Sequence, residues 1–327
     1  MDSSESQDES SHHNKDLLLF RRARLRDVDS IAKIYSSSIE YLDPESRDWI
    51  ESIVKKKSRR LRIYVASIED EVAGFIIVYK KRDKAYIDAF AVDPRFRGRG
   101  IGQELLNYVE TVLASEGVEK VYLSVKNHNN KALGLYIKNG YRITNVVLIL
   151  RSLSRDIETD ILKVDNITIR LDNIKRYSFP RTKLLDTTMW SNFTWDVDEY
   201  IYRVSKEDAI ALAVYKGRRL LGVARIFFEQ NEVFVERLAL SFYRPTESLK
   251  IVVYALKTRV VSQPTTAITI PVDSSKSALL RTLIQLGFKV IDSEYILQKE
   301  LIKLRYGVDQ GNVANVQHLH AVKNTEF

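Results

Sequence analysis

The chain has 327 residues, enough for two domains of ordinary size, each burying its own core. Hydrophobic residues make up 45% and charged residues 29%, the balance of a soluble globular protein, and the absence of Cys excludes disulfides, thiolate metal sites and a Cys nucleophile. The formal charge of +8 is uneven: the first sixteen residues hold five acids and one base, which leaves a basic body suited to an anionic ligand or partner.

Residues 1–16 are rich in Ser, Asp and Glu and are expected to form a disordered tail. No apolar run approaches the roughly 20 residues of a membrane span, and the acidic start has no signal-peptide pattern. A cytoplasmic location and no membrane partner are the expectation. His12, His13, His318 and His320 fall in polar tails, so no metal site is expected.

Leu17 to Arg24 reads as a short strand. Asp27 or Asp29 is placed to cap a helix with Ile31, Ile34 and Tyr35 on one face. Trp49, Ile50 and Ile53 mark a second helix that runs into Lys55, Lys56 and Lys57. Leu61 to Ser67, Val72 to Lys80 and Ala85 to Val92 alternate with tight polar turns and read as consecutive antiparallel hairpins.

The third of these strands leads into Arg97-Gly98-Arg99-Gly100-Ile101-Gly102, and an amphipathic segment, Gln103 to Glu116, leads out. A strand, a glycine-rich basic turn and a helix start make an anion-binding arrangement. Helix N–H groups point at the ligand, the helix dipole adds positive charge, and glycines let the backbone approach. Arg97 and Arg99 add fixed charge. Val121 to Val125 is then a strand, Asn130 to Asn139 a helix stopped at Gly140, and Tyr141 to Leu150 a closing strand.

Ser152 to Glu158 is polar and reads as linker. Beyond it the order repeats: strands at Ile167–Leu171, Ala209–Tyr215, Leu220–Phe228 and Val233–Leu240, a helix at Leu249–Val261, a strand at Ala267–Pro271 and a helix at Ser275–Leu286. Trp190 and Trp195 lie in an irregular region. Ala91-Val92 and Ala239-Leu240 align at an offset of 148 residues, and Gly140-Tyr141 and Gly287-Phe288 at 147. Duplication of a whole domain is the economical reading. The expected fold is α/β of the α+β kind: two tandem domains, each a mixed, mainly antiparallel sheet flanked by helices. The boundaries read as residues 17–152 and 166–306, with linker at 153–165 and a polar tail at 307–327.

The first half, Leu17 to Ser152, resembles the GNAT-superfamily N-acetyltransferases. Arg97-x-x-Gly100-x-Gly102 after Ala91-Val92-Asp93-Pro94 is similar to the family's acetyl-CoA loop. Asn129, Ala132 and Tyr136 match Asn-x-x-Ala-x-x-x-Tyr at the next helix, and Lys138-Asn139-Gly140-Tyr141 matches its Lys-x-Gly-aromatic ending. The resemblance implies that acetyl-CoA is the donor and an amine the acceptor, either a protein N-terminus or Lys or a small amine. It places the pyrophosphate on the N–H groups of Arg97, Gly98, Arg99, Gly100, Ile101 and Gly102. It lays the pantetheine arm beside Phe90, Ala91 and Val92, where two parallel strands splay. Asn129 would hold that arm and Tyr136 would face the departing sulfur.

Family members with a strand carboxylate place it where this chain has Tyr86. Asp88, two residues on, is the candidate base, on the expectation of strict strand alternation. In the second half Arg97, Gly100 and Gly102 become Pro245, Ser248 and Lys250, and Tyr136 becomes Leu283, so that copy reads as degenerate. The rival readings are a non-catalytic acyl-CoA-binding or assembly protein, and a basic nucleic-acid-associated factor. Basic runs with little aromatic interleaving make nucleic acid the weaker of these.

Overall fold

The computed structural model describes residues 18–42, 45–159, 166–173, 184–186 and 210–301. Both expected tails and most of the region around Trp190 and Trp195 lie outside the described residues.

The first half runs β1 (Leu18–Arg22), α1 (Val28–Ser36), α2 (Arg47–Lys56), β2 (Leu61–Ile68), β3 (Glu71–Lys81), β4 (Lys84–Val92), α3 (Ile101–Ser115), β5 (Lys120–Lys126), α4 (Asn130–Lys138) and β6 (Arg142–Leu153). The second runs β7 (Ile167–Asn173), β8 (Leu184–Asp186), β9 (Ile210–Lys216), β10 (Arg219–Glu229), β11 (Glu232–Ser241), α5 (Pro245–Ala255), β12 (Ala267–Asp273), α6 (Ser277–Gln285) and β13 (Lys289–Glu300).

Local sequence explains the hairpins. Glu69 and Asp70 both take positive φ between β2 and β3, the twist that lets two residues join paired strands. The strands are rich in Val, Ile and aromatic residues and are buried on both sides. Ile31, Ile34, Trp49, Ile50 and Ile53 of α1 and α2 pack on one face, against Phe75, Ile77 and Tyr79. Leu105, Leu106, Val109 and Leu113 of α3, with Tyr136 of α4, pack on the other, against Ile76, Val78, Ile87 and Leu123. The second half has its own core, in which Leu249 and Val252 of α5 and Leu283 of α6 meet Val235, Ile268 and Ile270.

Among the described residues, the strands join in one 13-stranded sheet of order β1-β2-β3-β4-β5-β13-β6-β12-β11-β10-β9-β7, with β8 paired to β11. Most pairs are antiparallel; β4 with β5 and β11 with β12 are parallel. The halves exchange their last strands. β13, from the end of the second half, inserts between β5 and β6, and β6 in turn pairs with β12.

The duplication shows in registration as well as order. Gly74 faces Val92, and Gly222 faces Leu240, 148 residues later. Both copies break register at the same place, with Asp88 as the extra residue in β4 and Glu236 in β11. The segment read as linker is partly built into the core: β6 extends to Leu153, and Ile157 packs in the second core. Its serines are polar yet buried, because the Ser152 hydroxyl donates to the Gly287 carbonyl at 3.1 Å and the Ser154 N–H to Thr266 at 2.9 Å.

Candidate functional site

The site grows from a fork in the sheet. Lys84 to Ile87 of β4 pair in parallel with Lys120 to Leu123 of β5, and the pairing then stops. β5 continues beside β13 to Lys126, while β4 continues beside β3 to Val92. Among the described residues no strand pairs with Asp88–Val92 on the side facing β5. A β-bulge causes the divergence: Ala89 faces Ile77 and Ile87 faces Val78, so Asp88 is extra and the strand bends away.

The bulge also resets which residues face which side. Tyr86, Ala89 and Ala91 pack with the α1/α2 cluster, whereas Ala85, Ile87 and Phe90 pack with the α3/α4 cluster. Strict alternation therefore does not run through Asp88, and the spacing from Tyr86 does not by itself set its direction. Asp88 stands half-buried at the mouth of the fork.

The Arg97–Gly102 loop closes one end of this gap. Gly98 and Gly100 take φ of 80° and 79°, a region that side chains disfavour, and a Cβ on either would meet nothing within 4 Å. Gly102 serves a different need: its Cβ would lie 3.3 Å from Phe90 Cζ and 3.4 Å from Val92 Cγ2, so glycine lets α3 start against the end of β4. Gly100 is the N-cap of α3, and no side chain caps that helix. Its first N–H groups thus face outward with the positive end of the dipole.

The arginines divide their work. Arg95 is tied to Asp93 at 2.8 Å and Glu71 at 2.6 Å. Its hydrogen bond to Asp93 holds that carboxyl below the usual aspartate range against the opposing effect of burial. Arg99 stacks over the Phe96 ring at 5.5 Å. Arg97 turns back, donating from Nε to the Val92 carbonyl at 2.9 Å and from Nη2 to Ser38 Oγ at 3.4 Å. It thereby ties the loop to the end of α1.

On the α3/α4 side, Tyr136 is 5% exposed, 6.3 Å from the Phe90 ring and 5.5 Å edge-on from Tyr141. Burial pushes its hydroxyl well above the ordinary tyrosine value. Asn129 caps α4, its Oδ1 accepting the Ala132 N–H at 3.2 Å. Phe90 thus links the end of β4 to both the Gly102 end of the loop and the Tyr136 ring of α4.

Sequence reading missed several neighbours. Tyr86 OH lies 3.3 Å from Ser124 Oγ, bridging β4 and β5 where they part. Tyr41, after α1, meets His128, after β5, at 5.7 Å between ring centroids. These pairs depend on registration and loop packing, and no motif announces them.

The second half lacks the same equipment. α5 opens with Pro245, which has no N–H, after Arg244 at φ 53°. Leu283 fills the place of Tyr136 with an apolar side chain. Glu236, the bulge residue, is bound by the buried Arg225 at 2.5 Å, where the first half has Ile77. Among the described residues no cluster of His, Asp and Glu is placed to hold a metal ion, and no helix is long and apolar enough to cross a membrane.

Comparison with known proteins bears on the family and the fold. Residues 28–141 match the acetyltransferase (GNAT) family model. A tandem GNAT protein from the clavulanic acid biosynthesis pathway superposes with a TM-score of 0.61 at 12% identity, over 87% of this chain and 99% of that one. A GCN5-related N-acetyltransferase from Sphaerobacter thermophilus gives 0.58 at 16% identity, over 89% and 97%. A further GCN5-related N-acetyltransferase, from Anabaena variabilis, gives 0.59 at 10% identity, over 88% and 73%. Family and fold imply acyl transfer from an acyl-CoA. Residues 28–141 are an acetyltransferase (GNAT) family domain, and the chain that carries them has the tandem GNAT fold.

Proposed function

We propose that the chain moves an acetyl group from acetyl-CoA to an amine at the fork of its first domain. One observation carries this reading: the edge of Ala89–Val92, which no strand among the described residues covers on the β5 side, runs directly into an uncapped, glycine-lined helix start. Backbone groups on the open edge suit an extended amide-bearing arm. The N–H groups from Arg97 to Gly102 suit a pyrophosphate, and the empty Cβ positions at Gly98 and Gly100 leave room for it. The residues present therefore fit the donor.

The donor supplies a thioester carbonyl and a thiol leaving group. An amine attacks that carbonyl directly: the C–N bond forms, the C–S bond breaks, and the amine proton must leave. No covalent enzyme intermediate is required. Tyr136 is the proton donor to the departing sulfur: a tyrosine hydroxyl carries its proton at neutral pH, and burial raises this one further above the ordinary value. Asp88 accepts the amine proton, directly or through water. That second role has real weight, since freeing a Lys amine at neutral pH costs roughly 4.6 kcal/mol and an α-amine about 1.4 kcal/mol. Asn129 and Phe90 steady the arm, and the acceptor is a protein N-terminus or Lys, or a small amine.

The test is Gly100→Glu beside Gly100→Ala. Both impose the same backbone strain, but only Glu brings a carboxylate against the pyrophosphate. Calorimetry should show CoA binding lost in the first and largely retained in the second, with thiol release on an amine panel following the same order. Equal affinity in the Glu variant and the parent chain would refute the placement.

A further inference from the structure

The second domain has the same fork, and the chain fills it. β11 pairs in parallel with β12 only over Glu232–Phe234, and its outer part then leaves β12 as β4 leaves β5. There β8 takes the vacated edge: Ala239 faces Asp186, Leu240 faces Leu185, and Ser241 faces Leu184, antiparallel. At the offset of the duplication, Ala239, Leu240 and Ser241 correspond to Ala91, Val92 and Asp93. The first two of these lie where, among the described residues, the first domain keeps its edge open.

The origin of β8 is equally informative. By the same offset it corresponds to Ser36–Ser38, the end of α1 and the turn behind it. One stretch of the repeat has become a helix end beside the glycine loop in one copy and a strand in the other. Around it the remaining determinants have changed together. Arg225 neutralises the bulge carboxylate Glu236, Pro245 removes a helix N–H, and Leu283 replaces the tyrosine.

We infer that β8 is an internal substitute for the pantetheine arm, so that the second domain is a permanently closed copy of the site and the chain binds one acyl-CoA. This rests on the acyl-CoA placement proposed for the first domain. An open strand edge leaves backbone donors and acceptors unmatched unless something pairs with them. In the first domain a ligand can do so; in the second the polypeptide already does. The closed copy then serves as a scaffold for β12 and β13, which flank β6 and complete the sheet around the working site.

Hydrogen exchange on the full-length chain, with and without CoA, tests this. Without ligand, amides of residues 236–241 should exchange slowly, and CoA should leave them unchanged. Those of residues 88–93 should slow at least tenfold when CoA is added, with a calorimetric stoichiometry of one. Leu185→Pro should speed exchange at 236–241 while residues 88–93 still respond to CoA. Ligand-induced slowing at 236–241, or a stoichiometry of two, would overturn the inference, because β8 would then be yielding to the ligand. Indifference of 236–241 to Leu185→Pro would overturn it as well. Failure of CoA to bind at all would overturn the first-domain placement and this inference with it; slow, Leu185-dependent exchange at 236–241 would then show that the fault lay in the placement and not in β8.

Discussion

In the proposed reaction, Tyr136 and Asp88 divide the chemistry by environment. Tyr136 lies in an aromatic group with Phe90 and Tyr141, where only its neutral form is comfortable. Tyr136→Phe preserves that packing and removes the proton. It should lower kcat by about 10²-fold, within the usual range for a lost acid, and leave the KM for acetyl-CoA within twofold. Steady-state kinetics at saturating amine checks this, and an unchanged kcat would make Tyr136 a packing residue. Asp88 sits at a bulge at the mouth of the fork. Asp88→Asn should slow the reaction most near neutral pH, and the deficit should shrink as pH approaches the pKa of the acceptor amine, where solvent removes the proton unaided. A constant ratio across pH would remove Asp88 as the base.

At the scale of elements, an ion pair ties β1 to the start of α1. The 3₁₀ turn before α1 ends at Asp27, whose side chain is 3% exposed and accepts Arg21 Nη1 at 2.6 Å, Arg21 Nη2 at 2.9 Å and the Arg24 N–H at 2.7 Å. Burial alone would raise this carboxyl, but the hydrogen bonds from Arg21 and Arg24 outweigh it, and the net shift is downward. A folded pKa below the unfolded one gives stability that is present above the unfolded value of about 3.9 and lost as pH falls through the folded value. Urea denaturation from pH 7 down to pH 2 should therefore show stability falling below about pH 4. Asp27→Asn should cost about 1–3 kcal/mol at neutral pH and flatten that part of the profile. An equally steep acid limb in the variant would show that other carboxylates set it.

On the scale of the whole molecule, the two copies share one sheet. β13 supplies the outer neighbour of β5, and β6 lies between β13 and β12. Lys299 of β13 reaches the buried Glu110 of α3 at 2.5 Å and lies over the Tyr141 ring at 5.6 Å, so the second half also contacts the packing behind Tyr136. A fragment of residues 1–165 would expose both edges of β6 and the outer edge of β5. We expect it to lack a cooperative thermal transition and to bind no CoA, as calorimetry and light scattering would show. A folded, CoA-binding fragment would mean that the exchange of strands is dispensable.

Much of this was legible in the chain. Helix and strand positions follow from periodicity and β-propensity, which are local. Gly98 and Gly100 could be read because left-handed φ is a property of single residues, and the repeat could be read because both copies keep the same order. What remained hidden is non-local. Nothing beside Asp88 announces the bulge, since a bulge is a mismatch with β3 that one strand cannot express. Ser124 becomes a neighbour of Tyr86 only through the β4/β5 register. Ser152 and Ser154 looked like linker because the carbonyls that satisfy them lie more than a hundred residues away. By itself the sequence determined the elements, the glycine loop and which copy keeps that loop, since these depend on the conformational preferences and charges of neighbouring residues. Only the tertiary structure decided that β13 completes the first domain and that β8 closes the second, because a strand's partner is set by whichever unpaired edge the rest of the fold leaves within reach.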